Sequence, residues 1–234
     1  MKNSWLTDFI RLLFPPCCVV CEDALSIGEE CLCLKCLLNM PKTNYHLVAD
    51  NELEKRFWGK FPIERASAYF HYVKGSDFDK ILFELKYHGQ KEVGEYMGRY
   101  MANDLLVSGF FNEIDIIVPV PLHKKREKER GYNQSEWVAK GIADVIGKEV
   151  YPHLLCRRKK NESQTHKSLY ERWLNTHSAF YVQETSKIKD KHILLVDDVV
   201  TTGATLLACA EALLKSGNCK ISLLTLAITQ QNNK

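Results

Sequence analysis

The chain has 234 residues, 45% of them apolar and 26% charged, with a formal net charge of +3. This length holds one large domain, or a medium domain with a small appendage, and the composition argues against a disordered chain. No apolar run approaches the roughly 18–20 residues that a membrane-spanning helix needs, so no membrane insertion is expected.

At the N-terminus, Trp5, Leu6, Phe9, Leu12 and Leu13 fall at helical spacing, broken by Asp8 and Arg11, with no small-residue cleavage site behind them. This pattern predicts a short amphipathic helix docked on the body of a cytoplasmic protein. Six of the nine cysteines then crowd into "CCVVCEDALSIGEECLCLKC", residues 17–36. Such density in a cytoplasmic chain favours metal over disulfides. Cys18 with Cys21 and Cys33 with Cys36 make two CxxC knuckles, eleven residues apart, and two knuckles complete a closed tetrahedral zinc site whose role is structural. Cys17 and Cys31 are competing ligands. Isolated Cys156, Cys209 and Cys219 read as core residues.

Beyond the cysteines, "ERASAYFHY" alternates as a strand, and "SDFDKILFELKYHG" and "KEVGEYMGRYMANDLL" have helical periodicity, the first stopped by Gly89. Four later runs, "IDIIVPVP", "VYPHLLC", "KHILLVDD" and "KISLLTLAIT", read as buried strands, with helices over "NQSEWVAKGIADVIG" and "ATLLACAEALLKSG" between them. Alternating strands and helices imply an α/β fold, a mostly parallel sheet flanked by helices on both faces. The expected division is a helix and zinc ribbon over 1–44 and a single α/β domain over 45–234.

Charge is unevenly spread: residues 119–172 hold thirteen Lys or Arg against seven Asp or Glu, a local +6 that leaves −3 for the rest. An anion is expected there, either a small phosphate ester or a polynucleotide. "HILLVDDVVTTGAT", residues 192–205, supplies the complementary chemistry. A Walker B reading fails, because neither Gly59-Lys60 nor Gly147-Lys148 completes a phosphate-binding GxxxxGK[ST] loop. The alternative is a phosphate and sugar cradle. Val199, Val200, Thr201, Thr202, Gly203, Ala204 and Thr205 would turn their N–H groups and hydroxyls toward one phosphate at a helix start, while Asp197 and Asp198 accept bonds from two ribose hydroxyls. Adjacent acids at a buried strand end are costly without such partners.

This stretch resembles the phosphoribosyl pyrophosphate (PRPP) motif of type I phosphoribosyltransferases. With "LKYHG" (85–89), "VPVPLHKKREKERGYNQ" (118–134), "SQTHKSLYERWLN" (163–175) and the cysteine ribbon after "LFPP", the chain is identified as a member of the ComF family of late competence proteins. The resemblance implies a type I phosphoribosyltransferase fold and a Mg2+-dependent PRPP site with Asp197 and Asp198 as its catalytic acids. Val120, Pro121, Leu122, Lys124, Lys125, Arg126 and Arg130 would form a loop facing the pyrophosphate. Gln164 and Arg172 would belong to a flexible loop that closes over PRPP, in which Asn161 stands where the family usually has threonine. In a transferase of this kind a nucleophile displaces pyrophosphate through an oxocarbenium-like transition state, with no covalent intermediate. The resemblance also implies a role in DNA uptake and natural transformation, with single-stranded DNA and DNA-uptake proteins as partners. An active transferase with an unidentified acceptor and a non-catalytic PRPP sensor are the alternatives.

Overall fold

The computed structural model describes residues 14–158 and 179–229. The expected N-terminal helix, and Gln164 and Arg172, lie outside the described residues. In chain order the helices are α1 (Leu34–Leu38), α2 (Glu52–Lys55), α3 (Asp79–Tyr87), α4 (Lys91–Leu106), α5 (Lys124–Arg130), α6 (Gln134–Ile146) and α7 (Ala204–Ser216). The strands are β1 (Arg65–Tyr72), β2 (Ile116–Pro119), β3 (Glu149–Val150), β4 (Leu155–Arg157), β5 (Phe180–Val182), β6 (Lys191–Val200) and β7 (Cys219–Thr229).

Five strands form one wholly parallel sheet in the order β1-β7-β6-β2-β3. Its central strand carries apolar residues without alternation because both faces are covered. Ile193 and Leu195 pack with Leu206, Cys209, Ala210 and Leu213 of α7 on one side. Leu194 and Val196 meet Met97 and Met101 of α4 and Val138 and Ile142 of α6 on the other. Of the isolated cysteines, Cys209 is buried, whereas Cys156 and Cys219 are only half-buried.

Helices α4 and α6 approach more closely than side chains permit, which explains a glycine in each. A Cβ on Gly98 would overlap the Val138 carbonyl oxygen, and one on Gly141 would overlap the Glu95 carbonyl oxygen. Alanine has the better helix propensity by roughly 1 kcal/mol, but backbone atoms on a facing helix cannot yield as a side-chain tip does. Gly141→Ala is therefore expected to cost about 1–3 kcal/mol of stability, read as a lower urea midpoint.

Two expectations need correction. "VYPHLLC" is not one strand: β3 ends at Val150, a turn follows, and β4 pairs antiparallel with β5 in a separate two-stranded ribbon. Pro152 lacks the N–H that a central strand must donate, so the apolar run breaks there. The basic stretch "HKKREKER" is a helix rather than a loop. Its Lys, Arg and Glu residues are good helix formers, His123 accepts the Lys125 N–H at the start, and Gly131 ends it in the left-handed region at φ 81°.

The cysteine segment docks on the helical face that carries α3 and α4. Cys18, Val20, Leu32, Leu37 and Met40 are buried against it, and Lys80 of α3 reaches both the Val20 carbonyl (3.0 Å) and Glu22 (2.8 Å). Arg99 of α4 pairs with Glu30 at 2.8 Å. Among the described residues, no helix is long and apolar enough to cross a membrane.

Candidate functional site

The sheet makes a cleft by ending its strands at different heights. β2 pairs with β6 only as far as Pro119 opposite Val196, whereas β6 continues to Val200 along β7. Asp197 and Asp198 thus lie within the strand rather than at its tip, on the overhang that rises past the end of β2. Ligands of open parallel sheets bind beyond the carboxyl ends of the strands, and this overhang is such a place.

A cavity of about 520 Å3 opens there. Asp197, Asp198, Val199, Thr201 and Thr205 line it on the β6 side, and Val120, Pro121, Leu122, Arg126 and Arg130 on the side of α5. Of the remaining expected residues, Lys124 lines a neighbouring cavity and Lys125 lines neither. Val200 is buried in the core. Thr202 and Ala204 are exposed, and the Thr202 hydroxyl accepts the Ala204 N–H at 3.4 Å.

Gly203 caps α7 in the left-handed conformation, φ 81° and ψ 1°. It has no room for a side chain, since a Cβ would sit 2.8 Å from the Phe57 ring. Glycine is required there on both counts. The turn brings the free N–H groups at the start of a 13-residue helix to the rim of the cavity, where an anion is favoured.

The two acids have different partners. The Ser135 hydroxyl and the Asp198 N–H both donate to Oδ1 of Asp197, at 2.8 and 2.9 Å. The Lys86 ammonium lies 3.1 Å from Oδ2 of Asp198. Burial, and then the charge of Asp198, push the Asp197 carboxyl up to about 7, outweighing its two hydrogen bonds. Burial and the neighbouring charge thus favour the protonated form of Asp197 in the ligand-free site.

Lys86 and Ser135 contact the two acids, which the sequence did not reveal. Lys86 stands in the "LKYHG" block, yet its partner is 112 positions away in the chain. Ser135 enters on the first turn of α6, held where Asn133 donates to the Val120 carbonyl at 3.0 Å. Arg157 of β4 also lines the cavity, beside Tyr87 and Glu129.

The four expected ligand cysteines do converge. The Sγ atoms of Cys18, Cys21, Cys33 and Cys36 all lie within 4.8 Å of one another, and those of Cys21 and Cys33 are 3.7 Å apart. The Cys33 N–H points at the Cys18 sulfur, 3.3 Å away, as in a knuckle that stabilises thiolate. Cys17 is exposed, with its sulfur on the Pro15 carbonyl, and Cys31 stays outside the cluster. Four soft sulfur donors within 4.8 Å of one another are a donor set that can hold a metal ion.

Comparison with known proteins agrees with this geometry. The family model described as phosphoribosyl transferase domain matches residues 108–234. DNA utilization protein YhgH of Escherichia coli (strain K12) is 26% identical over 215 residues, spanning 91% of this chain and 90% of its own. Competence protein F of Haemophilus influenzae is 25% identical over 226 residues, spanning 90% and 96%. Competence protein ComFC of Bacillus subtilis is 35% identical over 102 residues, or 44% of this chain and 39% of its own. With a matching model over more than half of its length and these relatives, the chain belongs to the phosphoribosyl transferase domain family, in its ComF branch.

Proposed function

We propose that the protein binds PRPP in the 520 Å3 cavity and serves, in the cytoplasm, the use or uptake of DNA; its relatives are named a DNA utilization protein and competence proteins. The observation that carries the PRPP reading is the pairing of opposed walls: the Thr-Thr-Gly turn and two acids on one, Arg126 and Arg130 on the other. In this reading the N–H groups and hydroxyls of residues 201–205 hold the 5-phosphate, Asp197 and Asp198 accept the ribose hydroxyls, and the two arginines face the pyrophosphate.

Mg2+ suits the site because it takes one or two carboxylates together with ligand phosphate oxygens, and Asp197 and Asp198 offer that much. When bound it would supply charge neutralisation for the pyrophosphate. Zinc suits the four cysteines, which leave no open position, so its role is to hold the ribbon together.

A transferase reading is favoured by a second cavity of about 290 Å3, which shares Lys86, Tyr87, Val199 and Thr201 with the first and is otherwise lined by Tyr72, Leu82 and Phe83 among others. An acceptor seated there would be adjacent to the ribose. Direct contact with single-stranded DNA is supported by the +6 charge of residues 119–172.

Calorimetric titration with PRPP and Mg2+ tests the first claim, and an absence of binding at millimolar ligand would remove it. Release of pyrophosphate from PRPP over a panel of acceptors separates a transferase from a sensor. Binding of a single-stranded oligonucleotide should weaken steeply with salt, and no binding at low salt would remove direct strand contact.

A further inference from the structure

The phosphate turn is gripped from behind by a segment that lies outside the matched family region and outside the PRPP motif. Arg56, which follows α2, donates through Nη1 to the Thr201 carbonyl at 2.7 Å and through Nη2 to the Thr229 carbonyl at 3.4 Å. One guanidinium thus ties the turn after β6 to the end of β7. The next residue, Phe57, is buried and fills the space beside Gly203.

The platform beneath these two residues is fixed to β1. The Asn51 side chain caps α2 by accepting the Leu53 and Glu54 N–H groups, and it donates to the Ala66 carbonyl at 2.9 Å. Glu54 accepts the Ala66 N–H at 3.0 Å and pairs with Arg65 at 3.3 Å. Asn51 and Glu54 are both buried, so α2 has little freedom to swing.

In a trans peptide the carbonyl and the following N–H point in opposite directions. With its carbonyl drawn toward Arg56, the Thr201–Thr202 peptide directs the Thr202 N–H away from Arg56. That N–H donates to no acceptor among the described residues. Thr201 and Thr205 line the cavity, whereas Thr202 and Arg56 do not.

We infer that Arg56 is a positioning residue for the phosphate cradle: by holding the Thr201 carbonyl it fixes the Thr201–Thr202 peptide, and with it the turn whose free N–H groups would meet the 5-phosphate of the sugar ligand, with Phe57 setting the depth of the turn at Gly203. This rests on the PRPP reading of the site. Arg56 touches no ligand atom in this scheme. Its effect is confined to the 5-phosphate end of the cavity and does not extend to the pyrophosphate wall of Arg126 and Arg130.

The test compares Arg56→Ala and Arg56→Gln with the wild-type chain, titrating PRPP, ribose 5-phosphate and inorganic pyrophosphate separately in the presence of Mg2+. Arg56→Ala should weaken ribose 5-phosphate and PRPP by about tenfold each, the size of one charge-assisted hydrogen bond, and leave pyrophosphate within about twofold. Arg56→Gln, neutral but still a donor, should recover part of that loss. Equal weakening of all three ligands would mean a general charge or folding effect, and unchanged affinity for ribose 5-phosphate would mean that the turn orients itself. Either result overturns the proposal. If the wild-type chain binds neither PRPP nor ribose 5-phosphate, the reading of the site fails first, and the variants are not what decided it.

Discussion

Asp197→Asn is expected to make the free protein more stable while weakening PRPP on the order of a hundredfold, the scale of losing charge-assisted bonds to the sugar. Asparagine keeps the Oδ1 acceptor used by the Ser135 hydroxyl and the Asp198 N–H. It removes a carboxylate that burial and Asp198 disfavour. Because the Asp197 carboxyl titrates at about 7 in the folded chain and near 3.9 when unfolded, the folded state binds the extra proton between those limits. The Asp197 contribution to stability should therefore fall as pH rises from about 4 to 7, against the opposite contribution of buried His46 and His192, so only the difference between variant and wild type isolates it. The advantage of the asparagine variant should open over the same window and level off at roughly 1–3 kcal/mol. Denaturant titrations at pH 4.5, 6 and 8 measure it, and a variant less stable than wild type at pH 8 would contradict the argument. Ligand binding carries the opposite sign: a carboxylate is a stronger acceptor for ribose hydroxyls than a neutral carboxyl, so PRPP affinity should tighten more between about pH 6 and 8 in the wild type than in Asp197→Asn, both sharing the ligand's own phosphate titration.

The second large effect concerns the cysteine cluster. Residues 14–44 contain among their described elements only the five-residue α1 and isolated bridges such as Cys17 with Ala24, too little to order the segment by hydrogen bonding. Zinc bound by four thiolates contributes on the order of 10 kcal/mol in small ribbons, far more than those contacts can. Purified protein should carry about one zinc per chain, expected from the closed tetrahedral site. Cys33→Ser, or chelation under reducing conditions, should release it and unfold the ribbon, exposing the apolar surface of Leu37 and Met40. Metal analysis and thermal melting check this, and a Cys33→Ser chain that melts like the wild type would refute a structural metal. Because the ribbon also anchors Lys80 on α3, whose last turn carries Lys86, metal loss should also weaken PRPP modestly.

Much of this architecture was legible in the sequence because its causes are local. The apolar runs of β6 and β7 and the periodicity of α4, α6 and α7 mark elements that sit close to their expected bounds. Both misreadings came from weighing one signal over another. Pro152 outvotes the apolarity of "VYPHLLC", and helix-forming charged residues between His123 and Gly131 outvote the reading of a charged run as a loop. The site was legible only in part. Asp197, Asp198 and the following turn lie side by side in the chain, and the two CxxC knuckles set their own spacing. The ion pair of Lys86 with Asp198 and the bond from Ser135 to Asp197 depend on how α3 and α6 pack, which no local pattern encodes.

The overhang of β6 past β2 has an evolutionary corollary. β6 lines the cavity with Asp197, Asp198 and Val199, while other lining residues come from separate elements: Pro121 and Leu122 after β2, Arg126 and Arg130 of α5, Lys86 in the last turn of α3 and Arg157 of β4. Exchanges at those positions can change which molecule reaches the β6 overhang without disturbing a rung of the five-stranded sheet. A fold built this way can drift between catalysis, sensing and scaffolding while keeping one ligand constant.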